Sequence, residues 1–142
     1  MNPSKNNRIL GVDYGDARTG LALSDPLGLL ASSFTVIHER NPERVADRVA
    51  EAALQNGVSQ IVLGFPRNMN GTEGPRAEKT LLFKEMLEQR FEGEVILRDE
   101  RNTTVSATQI LNETNVRGKK RKGIIDAVAA TIILQDYLDS LR

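Results

Sequence analysis

Residues 8–25 read RILGVDYGDARTGLALSD, and this stretch decides the fold. Two apolar runs, Arg8 to Tyr14 and Thr19 to Ser24, flank Gly15-Asp16-Ala17-Arg18, which predicts a β-hairpin with a short loop. A third strand, Ser32 to His38, follows the turn Asp25-Pro26-Leu27-Gly28 and makes an antiparallel meander. The apolar period then changes to that of a helix. Asn41 as N-cap, Pro42 in the first turn, Val45, Val49, Ala52 and Ala53 at helical spacing, and Asn56-Gly57 at the end define it. A buried strand at Ile61 to Leu63 follows. Gly74-Pro75 opens a second helix with Leu82, Phe83, Met86 and Leu87 along one face, and Val95 to Leu97 is the next strand. A shorter helix from Asn102 to Glu113, a polar basic loop, and a last helix from Ile124 to about Leu141 complete the chain.

The expected class is α/β: a five-stranded mixed sheet, three antiparallel strands then two parallel ones added by right-handed crossovers, with helices on both faces. A length of 142 residues suits a single domain, 1–142, with 1–7 as a flexible tail. The 19 basic and 19 acidic residues cancel, so attraction to a polyanion must come from local clusters. There is no cysteine and one histidine, which excludes disulfides, catalytic thiols and the Cys/His cages that hold zinc. Any metal would sit among oxygens. The opening MNPSKNNR is polar, and no apolar run approaches the roughly 18 residues a membrane helix needs, so a soluble, cytoplasmic protein with no membrane partner is expected.

Three acids stand in apolar surroundings. Alternation puts Ile9, Gly11 and Asp13 on one face of the first strand and Leu10, Val12 and Tyr14 on the other, and both faces look buried. A carboxylate there needs a cation, a metal or several donors; the amides of Gly15 and Asp16 are the alternative partners. Asp99 and Glu100 end the strand EVILR, where α/β sheets place their crevices, and neighbours along an extended chain face opposite ways. The alternative is a solvated acidic pair before a helix. Asp126, at the start of the last helix, shares a face with Ala129, Ala130, Ile133 and Tyr137; the helix dipole alone accounts for an acid in a first turn, but not for its apolar neighbours. Three such carboxylates suit Mg2+ or Mn2+, which prefer oxygen ligands and can activate water for phosphodiester hydrolysis without a histidine. The single histidine, His38, reads as a surface residue at a strand edge.

Cations cluster near these acids. The loop GFPRNMNGTEGPRAEK, residues 64–79, has glycines whose amides can face a phosphate, with Arg67, Arg76 and Lys79 beside them. From Arg117 to Lys122 the chain reads RGKKRK, five cations in six residues just before Asp126. A run like this is either solvated or a phosphate-backbone contact that gives affinity without reading sequence.

The strings GVDYGDARTGLALSD, GFPRNMNGTEGPRAEK, RDERNTTVSA and KKRKGIIDAVAATIILQDYLD, in this order and spacing, resemble the YqgF/RuvX family of pre-16S rRNA nucleases, relatives of Holliday junction resolvases with an RNase H-like fold. The likeness runs from about Arg8 to Asp139. It implies an RNase H-like sheet with the first strand central, a nuclease using Mg2+ or Mn2+, and 5′-end trimming of precursor 16S rRNA. By motif, Asp13 matches the first-strand acid, Glu100 the acid of the Asp-Glu-Arg triplet and Asp126 the acid of the last helix; these three would be both metal ligands and catalytic residues. In related resolvases the second acid ends an earlier strand, which leaves Asp99 and Glu73 as alternatives to Glu100. Asn70 departs from the family's Met-Asp-Gly-Thr loop. The nucleic acid would be held by Arg18, Arg67, Arg76, Arg101, Arg117, Lys119, Lys120, Arg121 and Lys122.

Three other readings draw on these residues. A resolvase-type endonuclease would cut branched DNA with the same acids, and would be a homodimer because a junction is two-fold symmetric; an RNA nuclease is compatible with a monomer or a homodimer. A non-catalytic RNA-binding accessory would pair its acids with arginines. An actin-like or sugar-kinase ATPase, whose phosphate hairpin resembles DYGDARTG, needs two such lobes, for which 142 residues are too few.

Overall fold

The computed structural model describes residues 8–65, 74–99 and 118–141, with 118–127 described by their backbone. In chain order the elements are β1 (Arg8–Asp13), β2 (Arg18–Ser24), β3 (Ala31–His38), α1 (Pro42–Gln55), β4 (Val58–Phe65), α2 (Pro75–Arg90), β5 (Glu94–Asp99) and α3 (Gly118–Ser140). The sheet has the order β3-β2-β1-β4-β5. β1 pairs antiparallel with β2, and β2 with β3, while β4 joins β1 and β5 joins β4 in parallel. The expected mixed sheet is therefore present, with β1 at its centre.

Each local signal acts through a visible contact. Asn41 Oδ1 accepts from the Glu43 amide at 2.9 Å, capping α1 ahead of Pro42. In the β2–β3 turn, Asp25 Oδ1 accepts from the amides of Leu29 (2.7 Å) and Leu30 (2.9 Å). The chain bends sharply after β1 because Gly15 has no side chain: a Cβ there would stand 2.4 Å from the Arg18 carbonyl oxygen.

The sheet separates two apolar layers. On one face Leu10, Val12, Tyr14, Leu21, Ile61 and Leu63 pack with Val45, Val49 and Ala53 of α1 and Phe83 and Leu87 of α2. On the other, Ile9, Ala22 and Val62 meet Ala130, Ile133, Leu134 and Leu138 of α3. The close fit of α3 depends on Gly11, where a Cβ would lie 2.7 Å from the Leu134 Cβ and 2.9 Å from the Ala130 carbonyl oxygen. Polar ties fix the helix across the sheet. The Ala31 amide donates to Gln135 Oε1 (2.9 Å), the Ser33 and Thr131 hydroxyls are 3.0 Å apart, and Arg98 Nε donates to Asp136 Oδ2 (2.8 Å).

Two expectations change. The last helix starts at Gly118, so Lys119, Lys120, Arg121 and Lys122 belong to its first turns and not to a loop before Ile124. Straight-chain Lys and Arg are good helix formers, and a helix already docked by its apolar end extends cheaply through them. On α2 the buried stripe is Ala77, Thr80, Phe83 and Leu87, and Leu82 lies 58% exposed, one residue round the helix from Phe83. The expected helix from Asn102 to Glu113 lies outside the described residues.

Candidate active site

Asp13 is the last residue of β1, the central strand, at the carboxyl end shared with parallel β4, the end at which sheets of this class place their sites. The residue is only 8% exposed. Its neighbours of the same parity, Ile9 and Gly11, face α3, so the Asp13 carboxylate is on that face as well. The cation beside it is Arg76, on the first turn of α2. Its Nη2 is 3.9 Å from Asp13 Oδ1 and donates to the Tyr14 carbonyl oxygen at 3.2 Å. Because the Arg76 side chain is 58% exposed and the contact is long, the pair is a loose one.

The slope of α3 across the sheet can be read from its own hydrogen bonds. Ala31 meets Gln135 and Ser33 meets Thr131, so two residues of β3 span four of the helix, as rises of about 3.3 and 1.5 Å per residue require. Ser33 pairs with Ala22, Ala22 with Gly11, and Gly11 rests on Ala130 and Leu134. Two residues further along β1 is Asp13; four residues earlier on the helix are the backbones of Asp126 and Ala130. Asp13 is therefore level with the helical turn from Asp126 to Ala130, on the same side of the sheet. Because the helix begins at Gly118, Asp126 stands in its third turn. A helix dipole acts within the first turn and no longer accounts for an acid there.

At β5, Val95 and Leu97 pack with the α1–α2 layer and Arg98 reaches α3, so parity puts Asp99 on the side away from Asp13. Glu100 lies outside the described residues, as do Glu73, Arg67, Arg101 and Arg117. Arg18 opens β2 at the same end of the sheet as Asp13, with the parity of Gly20, the residue paired with Asp13. His38 is the exposed last residue of β3, opposite Arg18, as expected of a strand-edge histidine. Among the described residues no three acidic or histidine side chains stand close enough together to hold a metal. A metal would need Asp13 together with acids from the α3 and β5 ends, and an all-oxygen set of that kind fits Mg2+ or Mn2+ by hardness.

Sequence reading missed the bond from Arg76 to Tyr14. The only signal for it was Gly74-Pro75, which starts α2 two residues earlier and so aims Arg76 back at β1.

Comparison with known proteins places this geometry. A model of the RuvX family, described as Holliday junction resolvase, matches residues 7–140. A protein of Acetivibrio thermocellus named "Putative pre-16S rRNA nuclease" is 46% identical over 135 residues, covering 94% of this chain and 96% of its own. One of Halothermothrix orenii with the same name is 46% identical over 132 residues, covering 93% and 94%. Of solved structures, the fowlpox virus Holliday junction resolvase matches with a TM-score of 0.60 at 16% identity over 95% of this chain and 99% of its own. RuvC of T. thermophilus in complex with a Holliday junction substrate matches at 0.56 and 13%, over 95% of each chain. These two share the fold, which is RNase H-like.

Proposed function

The chain belongs to the RuvX family of nucleases, hydrolases of phosphodiester bonds, and from that premise we propose that it matures the 5′ end of precursor 16S rRNA with Mg2+ or Mn2+ held by Asp13, Glu100 and Asp126. The observation that carries the reading is the buried Asp13 carboxylate at the end of the central strand, level with the turn of α3 from Asp126 to Ala130. When bound, such an ion lowers the pKa of a water molecule and stabilises charge on the leaving oxygen. Asp13, on the central strand, would be the buried residue among those holding the ion. Its burial keeps bulk water from competing for the carboxylate, and loose Arg76 can turn from Asp13 to a substrate phosphate. Arg18, at the same end of the sheet, supplies a second phosphate contact. Arg67, Arg101, Arg117 and the helical run Lys119, Lys120, Arg121 and Lys122 extend the track in sequence. The substrate sets the place of action in the cytoplasm, and among the described residues no helix is long and apolar enough to cross a membrane.

Branched DNA is the second reading, favoured by the description of the family model. Cleavage of precursor 16S rRNA and of a four-way DNA junction, run side by side with added Mg2+ or Mn2+, separates the two. The account expects metal-dependent cutting of the RNA at its 5′ end; cutting of the junction alone would transfer the same acids to DNA. Cutting of neither, with RNA still bound, would leave an accessory RNA-binding protein.

A further inference from the structure

On the opposite side of β1 from the Asp13 carboxylate, one residue along the chain, a cavity of about 280 Å3 opens between β1 and α2. Its apolar wall is Tyr14, Leu82, Phe83 and Met86, and Arg40 and Lys79 stand at its rim with Asp16. The Tyr14 and Phe83 rings are stacked, with centroids 4.1 Å apart and planes within 9°, and both are buried, so they make the rigid back of the hollow while Leu82 and half-buried Met86 form its accessible wall. Leu82, 58% exposed, accounts for the apolar side chain that α2 does not put into the core. Arg76, Lys79, Phe83 and Met86 recur at intervals of three and four along α2 and so form one stripe, cationic near Asp13 and apolar behind it.

The rim chemistry selects the occupant. Lys79 pairs with Asp16 at 3.3 Å, but both side chains are well exposed, and such a pair exchanges readily for a phosphate. Among the described residues Arg40 has no carboxylate partner. Two cations against one acid, around an apolar hollow walled by Leu82 and Met86, match a flat apolar group joined to an anion, as in a nucleotide's base and phosphate. The Tyr14 hydroxyl remains a neutral donor, because burial, and then the nearby Asp16 carboxylate, raise its pKa above the ordinary 10.0.

We propose that this cavity receives one unpaired base of the strand cut at Asp13, with Arg40 and Lys79 holding its phosphate. The inference rests on the nuclease reading and adds a requirement: the nucleotide beside the cut must be free of its duplex, since a paired base cannot leave its stack to enter a pocket without an unpairing cost.

The test measures binding without cleavage. A short single-stranded oligoribonucleotide, carrying one abasic residue moved stepwise along it, is titrated in EDTA against the parent, Leu82→Gln and Arg40→Gln, with fluorescence anisotropy as the readout and thermal melting as the check on folding. One abasic position should weaken binding to the parent by about tenfold, the scale of one stacked base. The same position should matter less than about twofold to Leu82→Gln, whose wall no longer grips the base, while Arg40→Gln should weaken every oligonucleotide alike. Equal sensitivity of the parent and Leu82→Gln at every position, or none in either, would overturn the proposal. Because no bond is broken in EDTA, this binding result is separable from catalysis: an Asp13→Asn variant that cuts precursor RNA as fast as the parent would defeat the assignment of cleavage to Asp13 and leave the pocket result standing by itself, whereas loss of cutting with no abasic effect would defeat the pocket alone.

Discussion

At the scale of single residues, the guanidinium of Arg76 stands where it would compete with the proposed divalent ion for Asp13. Replacing Asp13 with Asn should leave the melting temperature at or near that of the parent. It should cut the rate on precursor RNA by at least about a hundredfold, since even outer-shell partners of metal ligands are worth about 10–100-fold. Arg76→Ala should weaken RNA binding and make the slope of log K against log salt shallower by about 0.7, the loss of one phosphate contact on a single strand, read from binding isotherms at several salt concentrations. The special status of Asp13 was legible in the sequence, because period-two alternation in RILGVD sets it beside Ile9 and Gly11 on a buried face. The Arg76 contact was not legible, because it depends on the angle at which α2 approaches β1, and local spacing carries no such angle.

Among the elements, α3 matters most, because it carries Asp126 and packs directly on the strand that carries Asp13. Gly11→Ala pushes a methyl group into the Leu134 Cβ and the Ala130 carbonyl oxygen. Overpacking of this kind costs about 1–3 kcal/mol, measurable by denaturant unfolding, and should lower cleavage further than the loss of folded protein explains, because α3 moves relative to Asp13. The start of α3 shows where sequence reading failed: RGKKRK looks like a solvated loop by its charge, although Lys and Arg are good helix formers. Asp25 was read correctly as a turn residue, and its consequence is electrostatic. Amide donation from Leu30 first and Leu29 next holds its carboxyl below the ordinary 3.8. A carboxylate whose pKa is lowered by folding stabilises above its unfolded value, and that contribution disappears as pH falls through the folded one. The melting temperature of Asp25→Ala should therefore fall short of the parent's at pH 7, and the gap should close on titration into the acid range below the ordinary value, as followed by circular dichroism.

For the molecule as a whole, three strands from one meander and two from crossovers make a sheet in which β1 is central. The end of β1 that carries Asp13 is thereby set between the start of β2 and the end of β4. The order of strands and helices was readable because each boundary has its own chemistry, the Asn41-Pro42 cap and the Gly74-Pro75 start among them. The α3 slope that sets the turn from Asp126 to Ala130 level with Asp13 was not, because it arises from Gly11, Ser33 and Ala31 meeting residues about a hundred positions away. The proposed site has Asp13, Glu100 and Asp126 sharing a divalent cation. Calorimetric titration of Mn2+ into the parent, Asp13→Asn, Glu100→Gln, Asp126→Asn and Asp99→Asn tests it most directly. The parent and Asp99→Asn, whose side chain has the opposite parity, should bind, and each of the other three should lose at least about tenfold in affinity. Equal binding by all five proteins, or none by the parent at millimolar metal, would contradict it.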